Sequence, residues 1–129
     1  MLKKLCIVFA LAAINTHACL AHIYLEKEYQ NHWCKCNNGQ TEYRLSDLTR
    51  IDCLTKDYAI EFDFANKWAE SIGQSLYYAL MTGKKAGVVL IIENGAKDTK
   101  YLNRLKCVAQ KYNIRVWTIT PEQLSNKQY

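Results

Sequence analysis

The chain has 129 residues, of which 50% are hydrophobic and 22% are charged, and its net charge at neutral pH is +5. A positive charge of this size indicates only a weak preference for polyanions. Internal repeats, low-complexity tracts and linkers rich in Pro or Gly are absent from the sequence, which excludes a repeat or multi-domain architecture.

The first 18 residues are typical of a secretory signal peptide. Lys3 and Lys4 form a basic start, residues 5–14 are an apolar run, and small residues precede cleavage after Ala18 or Ala21. The apolar run is about half the roughly 20 residues that a membrane-spanning helix needs, so we expect no membrane span.

We therefore expect residues 19–129 to form a single exported domain, periplasmic or secreted from a bacterium. Removal of the signal leaves 111 residues and a net charge near +3, enough chain for one hydrophobic core. Two alternatives stay open: a lipoprotein processing site at Cys19, and a buried N-terminal helix in place of a signal.

An exported chain with an even set of cysteines is expected to form disulfides. The cysteines beyond Cys19 are Cys34, Cys36, Cys53 and Cys107, and four cysteines allow three pairings. We expect the pair Cys34–Cys53, because Cys53 faces away from Asp52, toward the place where a helix is expected to pack. The one-residue gap in Cys34-Lys35-Cys36 disfavours a zinc site.

The sequence predicts three helices and five strands. In chain order they are a helix over 24–36, strands over 40–45, 49–54 and 58–64, a helix over 66–81, a strand over 86–93, a helix over 100–112 and a strand over 114–120. Three strands in a meander, followed by crossovers through helices, predict an α/β fold. Its mixed sheet has about five strands, with helices on both faces.

The third predicted strand carries two carboxylates within an apolar run. Side chains alternate across a strand, so Glu61 and Asp63 share one face. If Lys56-Asp57 is a two-residue turn, Asp52 lies opposite Glu61, with Cβ atoms about 4.5–5.5 Å apart. The sequence therefore predicts three acidic side chains close together.

Like charges that face each other across a sheet are unfavourable and require an explanation. The explanations are a shared proton with a raised carboxyl pKa, pairing with Arg50, a bound divalent cation, or a solvated face with incidental charges. The cation explains most, because Mg²⁺ and Mn²⁺ prefer clustered carboxylate oxygens.

The helix that follows carries two stripes of side chains. Its apolar stripe, expected to pack in the core, consists of Trp68, Ile72, Leu76 and Ala79. Its polar stripe begins just after Asp63 and consists of Lys67, Ser71, Gln74 and Tyr78. These polar residues suit contact with phosphate and the positioning of a reactant, although a solvated helix face is the ordinary reading.

Together these features resemble the PD-(D/E)XK nuclease superfamily, most closely its RecB-type and Holliday-junction-resolvase-like branch and small exported bacterial members. The matching residues are Glu28 in the first helix, Asp52 and Glu61 on adjacent strands, and Gln74 with Tyr78 on the next helix. The resemblance covers residues 24–120. It implies a restriction-endonuclease-like core that hydrolyses nucleic acid with Mg²⁺ or Mn²⁺. DNA is expected as the substrate in preference to RNA.

The resemblance also implies roles for individual residues. Asp52 and Glu61 would bind the metal, with Asp63 as an added ligand, and the metal would polarise the phosphate and activate water. Gln74 and Tyr78 would orient the nucleic-acid backbone. Glu28 would support the metal from the outer shell.

One position departs from the superfamily pattern. The strand lysine expected two residues after Glu61 is replaced by Asp63, so Lys67 would have to stabilise the attacking water or the developing charge. If it does not, the domain has lost catalysis and binds nucleic acid or a protein partner without cutting. The remaining alternative is a disulfide-stapled interaction domain whose carboxylates bind no metal.

Overall fold

The computed structural model describes residues 21–126, so the predicted signal peptide over residues 1–18 lies outside the described residues. The described elements are α1 Glu26–Cys36, β1 Gln40–Arg44, β2 Arg50–Leu54, β3 Tyr58–Phe64, a 3-10 turn Ala65–Lys67, α2 Trp68–Thr82, β4 Lys85–Ile91, α3 Gly95–Tyr112, β5 Arg115–Ile119 and α4 Pro121–Ser125.

The five strands form one mixed sheet in the order β1-β2-β3-β4-β5. The first three pair antiparallel through short connections, whereas β3, β4 and β5 are parallel and joined by α2 and α3. Parallel neighbours need such a helical crossover. The predicted α/β class is confirmed, and β3, the strand with the two carboxylates, is the middle strand.

Helices cover both faces of the sheet, as predicted. On one face α1 and α4 pack against Val89 and Ile91 of β4. On the other face α2 and α3 pack against Val88 and Leu90 of the same strand. Crossovers of the same hand place both connecting helices on one face, and β4 reads as a continuous apolar run because both of its faces are buried.

The ends of several elements differ from the sequence-based expectation. Helix α3 begins at Gly95, five residues earlier than predicted, and α4 was not predicted at all. Helix α2 begins at Trp68, two residues later than predicted, because Asn66 lies inside the 3-10 turn. Helix α2 ends at Thr82, one residue after the predicted end, where Gly83 adopts the left-handed conformation with φ 67°.

A disulfide joins Cys34 at the end of α1 to Cys53 in β2, with a Cα–Cα distance of 5.8 Å, which confirms the expected pair. Gly39 lies against it: a Cβ atom there would be 2.5 Å and 2.6 Å from the two sulfur atoms. The bridge thus fixes α1 on the sheet through a contact that only glycine permits. Cys36 and Cys107 are exposed free thiols.

Candidate functional site

The hairpin between β2 and β3 has the predicted register. The Thr55 amide donates to the Tyr58 carbonyl at 2.9 Å around the Lys56-Asp57 turn, and the adjacent pairs are Leu54 with Ala59 and Cys53 with Ile60. The next step along the two strands brings Asp52 to Glu61.

At Asp52 side chains replace the regular hydrogen bonds of the sheet. The Asp52 Oδ2 atom accepts the Phe62 amide at 2.8 Å, and the Asp52 amide lies 3.4 Å from Glu61 Oε1. The two carboxylates therefore reach across to each other's strand. This arrangement holds them side by side at the edge of the regular ladder.

Gln30 of α1 stabilises this local distortion from the opposite side. Its Nε2 atom donates to the Asp52 carbonyl at 2.6 Å and to Glu42 Oε1 at 2.9 Å. Glu42, on the neighbouring strand, has φ 54°, an uncommon conformation for a non-glycine residue. Arg50 pairs with Glu42 at 3.0 Å, so the salt bridge observed for Arg50 is not to Asp63.

Glu61 and Asp63 are buried, with relative exposures of 3% and 6%. The hypothesis that they are incidental charges on a solvated face is therefore wrong. Both lie under α2, on the middle strand, where an ionised carboxylate loses hydration. Burial of several like charges is costly unless protons or a cation neutralise them.

The pKa values of the three carboxyl groups reflect the cost of burying their charged forms. Burial raises the pKa of Glu61 strongly, and the charges of Asp52 and Asp63 raise it further. Burial also raises the pKa of Asp52, opposed by its hydrogen bond from the Phe62 amide. The pKa of Asp63 rises to about 7 through burial and the charge of Glu26, opposed by Lys67.

Glu26, which the sequence interpretation did not select, joins this group. Its charge raises the pKa of Asp52, Glu61 and Asp63, and burial raises its own pKa. The predicted outer-shell residue Glu28 lies elsewhere: its Oε2 accepts the Leu25 amide at 2.8 Å at the start of α1. We call Glu26, Asp52, Glu61 and Asp63 the acidic cluster.

The polar stripe of α2 divides between the interior and the surface. Ser71 and Tyr78 are buried, whereas Lys67 and Gln74 are exposed. The Ser71 hydroxyl donates to the Trp68 carbonyl at 2.8 Å, so this buried hydroxyl has its hydrogen-bond partner within α2. The predicted apolar stripe packs against the core formed with α3, as expected.

The structure brings Lys67 and Tyr78 to the acidic cluster. Lys67, in the 3-10 turn after β3, opposes the rise in pKa of Asp63 and Glu26. Burial raises the pKa of Tyr78, and so do the charges of Glu61 and Asp52. Gln74 is exposed on α2, so it is accessible to a ligand that approaches from solvent.

The donor chemistry of the acidic cluster suits a hard divalent cation, because every donor is a carboxylate oxygen. Within residues 21–126, no three His, Cys, Asp or Glu side chains are arranged as a ready metal site. Mg²⁺ commonly uses one or two carboxylates and completes its shell with water and substrate phosphate. The adjacent Asp52 and Glu61 fit that mode better than a complete protein cage.

The chain matches no family model, no curated protein and no solved structure. In the described part of the chain, no helix has the length and apolar character needed to cross a membrane. The acidic cluster must therefore be interpreted from its own chemistry.

Proposed function

We propose that this protein is an exported, divalent-metal-dependent nuclease that hydrolyses phosphodiester bonds at the acidic cluster. The observation that supports this most strongly is the burial of Glu61 and Asp63 beside Asp52 and Glu26. Such mutually repelling groups do not stabilise a fold, because apolar residues of similar size could be buried there at a lower cost in free energy. Strongly shifted carboxyl pKa values are typical of functional sites.

Asp52 and Glu61 are the residues that would hold Mg²⁺ or Mn²⁺. When bound, such an ion polarises the phosphate and lowers the pKa of the attacking water. Asp63 and Glu26 contribute negative charge around this position, which favours a dication over a monovalent ion. The hydrogen bond from the Phe62 amide fixes the orientation of the Asp52 carboxylate, which would otherwise have to be ordered when a metal binds.

Lys67 and Gln74 are the residues that would contact the substrate. Both side chains are exposed, and Lys67 lies close enough to Asp63 to oppose the rise in its pKa. An ammonium at that place stabilises negative charge that develops on the phosphate. Tyr78 is buried near Glu61, so we assign it a positioning role beneath the carboxylates rather than a substrate contact.

The order of elements also supports the proposal. A helix, three antiparallel strands, a helix and a parallel strand form the part of the sheet that carries Asp52 and Glu61. That order agrees with the restriction-endonuclease-like core implied by the sequence resemblance. Fold alone does not establish activity, so the site must be tested directly.

The test is Mn²⁺-dependent cleavage of plasmid and oligonucleotide DNA by the wild type and by Glu61→Gln. We expect the variant to lose about 100-fold or more of the cleavage rate while its circular dichroism spectrum stays unchanged. Asp57→Asn, in the exposed hairpin turn, is the matched control and should retain the wild-type rate. Equal cleavage by the wild type and Glu61→Gln would contradict the proposal.

A second candidate function is favoured by the residue at the lysine position. Asp63 is a buried carboxylate two residues after Glu61, and the nearest substitute, Lys67, lies on a separate element. A domain that binds nucleic acid or a protein without cutting it would accommodate this change. Binding of DNA by the wild type with no cleavage in either Mg²⁺ or Mn²⁺ would favour that function.

A further inference from the structure

A cavity of about 520 Å³ opens at the carboxyl ends of β3 and β4, beside the start of α3. Phe64 and Ile91, the last residues of the two strands, form part of its wall, and Asn66 of the 3-10 turn lies at its side. Its volume is typical of a site for a small ligand. Open α/β sheets generally bind ligands at this end of their parallel strands.

The carboxylates in the cavity wall already have hydrogen-bond partners. Glu93 accepts from His22 Nδ1 and from the Tyr29 hydroxyl, each at 2.8 Å. Asp98 accepts the Glu93 and Asn94 amides at 3.1 Å and 2.9 Å. These contacts fix the N-terminal segment and the start of α3, so the two carboxylates stabilise the cavity wall and are already hydrogen-bonded within the protein.

The two lysines that line the cavity have no carboxylate partner among residues 21–126. Among residues 21–126 the salt bridges are His22 with Glu93 and Arg50 with Glu42. Lys97 and Lys100 line the cavity and therefore make no salt bridge within the described chain. The Lys100 ammonium lies 4.8 Å from the centre of the Tyr101 ring.

Aromatic and amide side chains complete the lining. The His22 ring stacks on Phe64 with a centroid distance of 3.4 Å and an interplanar angle of 12°, and the half-buried Tyr101 ring lies in the same cavity. Asn66 and Asn94 present exposed amides. Aromatic rings stack with nucleobases, amides bond base edges, and lysines contact phosphate.

We infer that this cavity binds one unstacked nucleotide of a single-stranded nucleic acid. The base lies against the aromatic rings of His22 and Tyr101, and Lys97 and Lys100 contact the phosphate. The inference rests on the proposed function for its choice of ligand. It deepens that function by naming the substrate class as single strands, or strand ends, over continuous duplex.

The position of the cavity relative to the acidic cluster supports this choice. Phe64 directly follows Asp63 in the chain, and the 3-10 turn that contributes Asn66 to the cavity contributes Lys67 to the cluster. A strand with one phosphate at the cluster can place its next nucleotide in the cavity. A base in continuous duplex is stacked and paired, so it cannot enter without unstacking energy.

Fluorescence anisotropy tests the inference with the metal-free wild type in EDTA at about 0.1 M salt, where nothing is cleaved. The probes are a labelled (dT)10 strand and a labelled ten-base-pair duplex. We expect (dT)10 to bind at least about tenfold more tightly than the duplex. The Lys97→Gln/Lys100→Gln variant should lose at least about tenfold in (dT)10 affinity.

The control is Lys106→Gln/Lys111→Gln, which removes the same charge from exposed positions of α3 outside the cavity. It should change the (dT)10 affinity by less than about threefold. Duplex binding as tight as (dT)10 binding, or equal losses in both lysine variants, would overturn the inference. Because no metal is present, this result is independent of whether the wild type cleaves DNA.

Discussion

Lys67 has an exposed side chain beside a buried group of carboxylates, and its charge opposes the rise in pKa of Asp63. Under the proposed nuclease function, an ammonium in that place would contact negative charge that arises during the reaction more than charge already present in the bound strand. Lys67→Ala should therefore lower kcat by about 10²-fold or more and change KM less than threefold.

Steady-state cleavage of DNA in Mn²⁺ measures both constants for Lys67→Ala. Lys106→Ala, which removes an exposed lysine of α3, is the matched control for a general loss of positive charge. A rise in KM with an unchanged kcat would show that Lys67 only contacts phosphate in the bound strand.

At the residue scale, the sequence was sufficient to predict that Asp52 and Glu61 lie close together, but not that Glu26 lies near them. A two-residue turn and the twofold period of a strand leave a single register, which the structure confirms at Cys53 and Ile60. The first helix carries acids at Glu26 and Glu28, and two residues correspond to about 200° around a helix. Glu26 lies one turn before the buried Gln30 and shares its face, whereas Glu28 is exposed, and the sequence alone does not reveal that the polar Gln30 is buried.

At the scale of elements, the Cys34–Cys53 bridge holds α1 on β2, next to the hydrogen bond from Gln30 to the Asp52 carbonyl. The bridge closes a loop of 19 residues, which corresponds to about 3 kcal/mol of stability from the entropy of the unfolded chain. The Cys34→Ser/Cys53→Ser variant should therefore be destabilised by about that amount.

Urea unfolding followed by circular dichroism measures this change, with Cys36→Ser as the control because Cys36 is an exposed free thiol. The control should have the same urea midpoint of unfolding as the wild type. A double variant as stable as the control would contradict the structural role of the bridge. If the bridge also supports the site, the double variant should lose cleavage activity at urea concentrations below its unfolding midpoint.

The elements that the sequence did not predict depend on distant or very local contacts. The distortion at Asp52 requires Gln30, which is 22 residues away, and no short pattern reveals that pair. Helix α4 has five residues and begins at Pro121, with the Thr120 amide bonded to Gln123 Oε1 at 2.8 Å. Such a helix is too short for a periodic pattern, whereas β4 and α2 are long enough to be recognised.

At the scale of the whole molecule, the acidic cluster links stability to pH. A carboxyl with a pKa raised by folding binds more protons in the folded than in the unfolded chain. The free energy of unfolding should therefore fall as pH rises from about 4, the unfolded value, through about 7, the value for Asp63. Raised pKa values of Glu61 and Asp52 act in the same direction.

The metal-free protein should consequently melt at a higher temperature at pH 5.5 than at pH 8, by at least about 5 °C. A divalent cation requires deprotonated carboxylates, so Mn²⁺ should raise the melting temperature more at pH 8 than at pH 5.5. Scanning calorimetry in EDTA and in Mn²⁺ measures both effects, and Glu61→Gln should weaken both. A melting temperature in EDTA that rises from pH 5.5 to pH 8 would show that these carboxylates are ionised without cost, and no cation would then be needed to neutralise them.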